Sequence, residues 1–489
     1  MLIPKEVKTV VEKLAKAGFK AFIVGGCVRD ILRKAKPKDW DIATNAKPEQ
    51  IQKLFPKSFY ENKFLTVTVQ TQSKKEELKE IEITTYRSEA KYSDKRHPDQ
   101  VKFARTIEED LARRDFTVNA IALSLQGKKQ EIKDPFSGQN DIKLGLIRAV
   151  GDPEKRFSED ALRMMRAVRF FAVLNDSVKW QIEEKTAEAI KNNARLIKEI
   201  SEERIRDEFM KIIMSEKAAQ GIELLRELGL LKYIIPEIEE GCNIGQNKHH
   251  IYECYEHYLK SLDYAAKKNF NKYVRVAALF HDIGKPRSKR GNGQDSTFYS
   301  HEIIGARMTN QILNRLKFPK KDIEKIVRLV RHHLFYYNPE EVGESSVRRL
   351  VRETGPENME ELLQVRMSDR IGSGVPKAEP YKLRHLKYLI DKVSQDPISA
   401  KMLKINGKDI MDILKIASGP KVGQIIDILL SHVLLDPKKN KKEFLEKEAK
   451  KLGGLSEKEL ASLSQKAKKE REKIETKKDE MTKKKYWVT

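Results

Sequence analysis

At 489 residues the chain is too long for one ordinary hydrophobic core, so several domains are expected. A formal net charge of +24 points toward a polyanionic partner, nucleic acid before any other, with plain solubility as the bland alternative. Cys27, Cys242 and Cys254 offer neither a zinc spacing nor an even disulfide set, which fits a reducing cytoplasm, and no apolar run approaches membrane-spanning length.

The first segment, MLIPKEVKTVVEKLAKAGF, reads as an amphipathic helix with interspersed lysines and not as a signal peptide. From about Phe19 to Val150 short β-rich runs, FLTVTVQ (64 to 70) and IEITTY (81 to 86), alternate with helical segments, which predicts an α/β head over residues 1–150. Its first strand and turn, FIVGGCVRDILRKAKPKDWDIAT (Phe22 to Thr44), carries most of the chemistry. The adjacent Gly25 and Gly26 allow close backbone approach to a bulky anion at a helix start that bears Arg29 and Asp30. Asp39 and Asp41 are two apart, so on a strand both carboxylates leave one face and can hold a divalent metal. Glu82 alternates with Ile81 and Ile83 and is a candidate third acid; Glu80 shares its face, and an exposed strand glutamate is the plain alternative.

GGCVRD followed by DWD resembles the nucleotidyltransferase superfamily of DNA polymerase beta, in the branch that holds bacterial tRNA CCA-adding enzymes and poly(A) polymerases. The resemblance selects Glu82 (EITTYR) and implies that Asp39, Asp41 and Glu82 bind Mg2+ for nucleotidyl transfer. RSEAKYSDKRHPDQVKF (87 to 103) shows no period, reads as a loop, and resembles the flexible loop of that family. It precedes EEDLARRDFTVNAIA (Glu108 to Ala122), in which Arg113, Arg114, Asp115 and Asn119 would by resemblance contact triphosphate and ribose; helix capping by Asp115 is the alternative. ENKFLTVTVQ (61 to 70) looks closer to the GKKFGTVTV pattern of CCA-adding enzymes than to that of bacterial poly(A) polymerases.

Beyond Asp160 nearly everything reads as helix, an all-α neck and body over 151–240 for base selection and RNA binding. In SEDALRMMRAVRF, Asp160 and Arg163 are three apart, so on one helix they share a face; a simple salt bridge is the bland reading. As a pair, an acceptor and a fork of donors match the Watson–Crick edges of cytosine and adenine, while guanine and uracil reverse both polarities. Glu159 would orient Arg163, and Arg166 joins the nucleotide-binding set. Choice of CTP and ATP would then need no template.

Seven of the ten histidines fall between His249 and His333, marking a separate helical domain over 241–400. The order His257, His281, Asp282, Asp369 resembles the HD phosphohydrolase superfamily and implies a divalent transition metal (Ni, Mn or Co), with His301, His332 and His333 for a second metal or a phosphate. Lys285, one turn from Asp282, could neutralise a phosphate. The region 401–489 is a basic helical tail expected to bind tRNA; its last fifteen or so residues read as solvated helix or frayed end. The expectation is an α+β protein, a polymerase-beta-like head followed by an all-α neck, body, HD domain and tail, acting on the tRNA 3′ end with CTP and ATP. Its rivals are a poly(A) polymerase, a CC-only or A-only enzyme, and an HD phosphohydrolase whose head merely binds nucleotide or RNA.

Overall fold

The computed structural model describes residues 3–61, 66–90, 100–125, 130–174, 178–246, 251–291, 293–394 and 403–488. It forms two compact units, Met1–Leu334 with Glu360–Pro376, and Phe335–Met359 with Lys377–Thr489. No described helix is long and apolar enough to cross a membrane.

The first unit opens with the helix Lys5–Lys16, whose Val7, Val10, Val11 and Leu14 recur at helical spacing and are buried. The head strands follow: β1 (Ala21–Val24), β2 (Asp41–Thr44), β3 (Ser58–Glu61), β4 (Thr66–Gln70), β5 (Glu80–Thr85), β6 (Arg87–Ala90), β7 (Gln100–Phe103), β8 (Ala122–Ser124) and β9 (Glu131–Lys133). Seven of them make one mixed sheet in the order β3-β4-β5-β2-β1-β8-β9. β2 and β5 run parallel, with Asp41 opposite Glu82, and β1 lies antiparallel to β2, with Val24 opposite Asp41. Ile23, Ile42, Ile81 and Ile83 are fully buried.

Two head readings need correction. Asp39 is not on a strand: it sits in the bend before β2, and only Asp41 enters the sheet. The stretch 87–103 is more than a loop, because β6 and β7 pair as an antiparallel ribbon from Arg87 opposite Phe103 to Ala90 opposite Gln100. Backbone hydrogen bonds hold that ribbon without an apolar alternation for the sequence to display. Residues 91–99 between them, and the 62–65 part of ENKFLTVTVQ, lie outside the described residues, as do His249 and His250.

The neck is helical, and its Leu162–Val173 helix packs on Glu202–Ile213 and Ala218–Glu227. Asp160 is the residue that ends the helix Pro153–Glu159, in an extended conformation, and the next helix begins at Leu162. The single helix expected across Asp160 and Arg163 is therefore two helices with a break between them. Beyond the neck, Cys254–Lys267, Lys272–Phe280, His301–Arg315, Lys320–His332 and Met359–Gly372 form the histidine-bearing domain. Fully buried Arg275 ties it to the neck, donating from Nη1 to the carbonyls of Ile213 (3.1 Å) and Ser215 (2.8 Å) and from Nε to that of Phe270 (2.8 Å). These carbonyls lie at helix ends whose last turns lack donor partners, so one guanidinium satisfies several at once.

The second unit has its own core, with Ile410, Ile425, Leu429, Leu445 and Leu460 at its centre. Its last helix, Glu457–Lys485, starts at a capping box in which Ser456 and Glu459 exchange hydrogen bonds, and it buries Leu460, Ser464 and Ala467. Near its end, Tyr388 donates to Asp479, and Lys485 pairs with Asp391 at 2.8 Å. The tail is thus a tethered helix and not a frayed end.

Candidate functional site

Two groups of chemistry-bearing residues lie in the first unit. The head group is built around Gly25, which has φ +78° and where an added Cβ would lie 2.8 Å from Arg114 Nη1 and 3.3 Å from Asp41 Oδ2. Any side chain there would meet both the backbone strain and these two groups. The turn is consequently pressed against the first carboxylate of the sheet. Burial raises the Asp41 carboxyl, Asp39 adds to the rise, and Arg114 opposes it. Asp39 is exposed; Glu82 is exposed on the strand face opposite Ile81 and Ile83, as the alternation predicts, and stands beside Asp41 in register.

The motif Glu108 to Ala122 folds as a short helix, Ile107–Ala112, and a 3-10 turn, Thr117–Asn119. Its basic residues are held from behind. Asp110, fully buried, pairs with Arg113 (2.8 Å) and Arg114 (3.4 Å); although burial opposes ionisation, those two guanidiniums keep its carboxyl below the usual range. Asp115 accepts from Arg166 Nε (2.7 Å) and Asn119 Nδ2 (3.2 Å), and Asn119 in turn accepts from Arg29 Nη1 (2.8 Å). Burial works against the Asp115 charge, but Arg166 outweighs it and holds the carboxyl well below the ordinary value. Asp115 also accepts from the adjacent Phe116 N–H (2.8 Å), so it braces the turn as well as the arginines. Arg29, Arg166 and Arg169 all approach the Phe170 ring, at 5.3, 5.6 and 4.3 Å. Burial, followed by the neighbouring Arg166, pushes Arg169 down to about 10.

Asp160 and Arg163 do not pair with each other as an i,i+3 bridge. Arg163 donates to Glu159 (2.8 Å) and to the carbonyls of Arg156 (3.1 Å) and Arg113 (3.2 Å). Glu159 does therefore orient Arg163. Asp160 instead accepts from Arg204 Nη2 (2.8 Å) and Nη1 (3.4 Å) and from the Leu162 N–H (3.1 Å). Sequence reasoning passed over Arg204 and Asp110: one is 44 residues from its partner, and the other looked like ordinary helix acidity.

The second group is the tighter. His257, His281, Asp282 and Asp369 bring one ligand atom each within 4.8 Å of one another, and all four are buried. His257 Nε2 lies 3.0 Å from Asp282 Oδ2 and 3.4 Å from Asp369 Oδ1; for His281 Nε2 the same distances are 3.2 and 3.6 Å. Ligands about 2.1 Å from one ion stand about 3.0–3.4 Å apart, so this donor set fits a divalent cation without large rearrangement. Asp282 also serves a second cluster, its Oδ1 lying 3.3 Å from His301 Nε2 and 3.4 Å from His333 Nε2. His281, His301 and His333 each set Nδ1 against the carbonyl three residues back, at 2.8, 2.7 and 2.7 Å. That bond turns every Nε2 toward the shared carboxylates. His332 is not in either cluster. It ends the helix Lys320–His332, and successive helical side chains diverge by about 100°, so only His333 of the pair reaches Asp282.

Burial disfavours a charged His281 ring, yet Asp282 and Asp369 outweigh it and push it up to about 10. A proton there does what a cation would do. Lys285, read as a partner for phosphate, binds Asp282 Oδ2 (2.6 Å) and Gln246 (2.6 Å), and Arg366 binds Asp369 Oδ2 (2.6 Å). Gly372 lets its helix approach His257, since a Cβ would sit 2.1 Å from Ser261 Oγ and 3.1 Å from His257 Nδ1. A cavity of about 340 Å³ opens on this cluster, lined by Asp282, Lys285, His301, His333, Arg366 and Asp369 among others.

Three protein families match the chain in succession: the poly A polymerase head domain at residues 21–148, the probable RNA- and SrmB-binding site of polymerase A at 180–242, and the HD domain at 249–374. A CCA-adding enzyme of Ligilactobacillus salivarius is 34% identical over 457 residues, covering 92% of this chain and 98% of that protein. One from Lactobacillus helveticus is 48% identical over 222 residues, 45% of this chain and 53% of the relative, so the chain spans about half the length of such curated relatives. Among solved structures, the Bacillus stearothermophilus CCA-adding enzyme in complex with CTP aligns over 92% of this chain and 98% of its own, at 28% identity and a TM-score of 0.60. The Thermotoga maritima CCA-adding enzyme complexed with tRNA, 21% identical over 91% of this chain and 95% of its own with a TM-score of 0.53, shares the fold.

Proposed function

The chain belongs to the family of CCA-adding enzymes, and on that premise we propose that it transfers CMP, CMP and AMP from CTP and ATP to the 3′ end of tRNA without a nucleic-acid template. The observation that carries this reading is the registration of Asp41 opposite Glu82 on parallel strands, directly beneath the Gly25 turn. Mg2+ held by Asp39, Asp41 and Glu82 would lower the pKa of the attacking hydroxyl and offset charge in the in-line transition state. The residues around it do the rest. Gly25, Gly26 and Arg29 seat the triphosphate, and Arg114 stands at the turn to meet its charge. Asp115 and Asn119, locked by Arg166 and Arg29, offer the acceptor and donor that a ribose hydroxyl requires. A carboxylate has about four acceptor positions and a guanidinium five donors. Asp160 can thus hold Arg204 and still accept an exocyclic amino group, and Arg163 can hold Glu159 and still donate to a ring nitrogen.

The histidine-bearing helices of the first unit are the second part of the proposal: a phosphohydrolase of terminal phosphates. A divalent transition ion (Ni, Mn or Co) held by His257, His281, Asp282 and Asp369 would supply Lewis acidity there, with His301 and His333 completing a second position through Asp282. The basic tail over 401–489 carries tRNA, and the enzyme works in the cytoplasm. Because the head matches a family described as poly A polymerase, tail synthesis is the reading to separate. Purified protein is incubated with tRNA lacking its 3′ terminus and each labelled NTP singly and together. CTP alone should add two residues, CTP with ATP three, and growth without limit on ATP alone would reject CCA addition.

A further inference from the structure

Where the neck helix Leu162–Val173 meets the head, three guanidiniums converge on one ring. Arg166 and Arg169 lie on the same helix as Phe170, and Arg29 comes from the helix Gly26–Leu32 that follows the Gly25 turn. Arg29, Arg166 and Arg169 stand 5.3, 5.6 and 4.3 Å from the Phe170 centroid. The ring is enclosed, 7% exposed, and Phe116 of the head meets it edge to face with centroids 5.6 Å apart. Each guanidinium is also tied to a different acceptor: Arg29 to Asn119 Oδ1 (2.8 Å) and Asp30 (2.9 Å), Arg166 to Asp115 Oδ2 (2.7 Å), and Arg169 to buried Glu208 (3.0 Å). A hydrogen bond fixes one edge of a guanidinium, and the negative face of an aromatic ring fixes its plane.

Two of these arginines govern the pair read above as the ribose contact. Asn119 spends its carbonyl oxygen on Arg29 and one amide hydrogen on Asp115 (3.2 Å), which settles the way its amide is turned. The second amide hydrogen has no protein partner among the described residues and is the donor left for a sugar hydroxyl. A deoxyribonucleotide would leave that donor unpaired in a nearly buried place, which is how an amide selects ribose. We propose that Phe170 is a positioning residue for ribose selection: its ring orients Arg29 and Arg166, and through them Asn119 and Asp115, so that ribonucleoside triphosphates are preferred to deoxyribonucleoside triphosphates. The effect is confined to the sugar, because Asp160 and Arg163 are held by Arg204 and Glu159, outside the ring cluster. This inference rests on the reading of Asp115 and Asn119 as the ribose contact, and the experiment tells the two apart.

The full chain with magnesium extends tRNA lacking only its terminal adenosine, using either ATP or dATP, and the ratio of the two kcat/KM values is the readout. Phe170→Leu, which keeps an apolar side chain and loses the ring, should lower that ratio about five- to tenfold, mostly through KM for ATP. Trifluorophenylalanine in place of Phe170 nearly keeps the shape while drawing charge from the ring face. It should lower the ratio about threefold, and it serves if the leucine variant does not fold. Preference for ATP over UTP and GTP should stay within about twofold of wild type in both. Asn119→Ala is the reference for the ribose reading itself. A ratio that Asn119→Ala leaves unchanged would reject that reading and the inference with it. A ratio that Asn119→Ala lowers and neither change at Phe170 lowers would overturn the inference alone. An equal fall for ATP and dATP, or a fall with leucine but not with the fluorinated ring, would reduce Phe170 to a packing residue and likewise overturn it.

Discussion

The head and the histidine-rich domain are both arranged to hold charge, but they reach that end in opposite ways. In the head two of the acids stand open to solvent: Asp39 in an exposed bend and Glu82 exposed on its strand, with Asp41 at a strand start beside Glu82. What is tightly built there is the arginine scaffold, with Asp110 and Asp115 buried under Arg113, Arg114 and Arg166. In the other domain the ligand set itself is assembled, four side chains within 4.8 Å and all buried. The lesson is one of timing. A site whose substrate carries many charges of its own can leave acids open to solvent until that substrate arrives, whereas a site that must retain a cation between turnovers has to be enclosed beforehand.

The largest effect that would sharpen this contrast comes from Asp41→Ala. Nucleotide addition should fall by about a thousandfold or more while tRNA binding, measured by filter retention, changes little; substantial residual turnover would sink the head assignment. Next in size is metal-linked stability. Adding nickel or manganese to EDTA-stripped protein at about a hundred times its dissociation constant should stabilise the folded chain by about 2.7 kcal/mol, visible as a rise in melting temperature that His281→Ala abolishes. Magnesium at the same concentration should do less, because nitrogen ligands favour the transition ions.

Selectivity comes third. Asp160→Ala should cost about 1–3 kcal/mol of discrimination against UTP and GTP, read as relaxed incorporation in single-nucleotide assays; wild-type discrimination would leave Asp160 as the partner of Arg204 alone. The smallest effect is in pH. Arg166 keeps the Asp115 carboxyl depressed in the folded state, so its stabilisation is present above the unfolded value near 3.9 and is lost as pH falls toward the folded value. Relative to Asp115→Asn, wild type should therefore lose about 1 kcal/mol between pH 6 and pH 3 in urea titrations; equal slopes would show that Asp115 is not charged in the fold.

What was legible in the sequence was local. The Gly25–Gly26 turn and the outward alternation of Glu82 both follow from short spacings, whereas Lys285, read as a partner for phosphate, is bonded to Asp282. The resemblance of whole motifs ordered His257, His281, Asp282 and Asp369, and the fold gathers those four. What failed depended on breaks and long reach. FSEDALRMM contains no glycine or proline, so nothing signalled that Asp160 stands between two helices, or that Arg204 would take the place at its carboxylate. His332 and His333 were indistinguishable as neighbours, because only the packed helix fixes which of them turns inward. The tail was half legible through composition: its lysines imply a solvated helix, which Glu457–Lys485 is, but not that Tyr388 and Asp391 on another helix hold its end.

The central claim is that the two centres work independently, and one variant tests it most directly. His281→Ala combined with Asp282→Ala removes two of four buried ligands and leaves Asp39, Asp41, Glu82, Asp160 and Arg163 untouched. With folding verified by circular dichroism, this protein should still add CCA to truncated tRNA with CTP, ATP and magnesium at a rate within about threefold of wild type, while hydrolysis of 2′,3′-cyclic phosphates and nucleoside monophosphates with nickel, manganese or cobalt disappears. A folded double variant that loses CCA addition in step with hydrolysis would contradict the account.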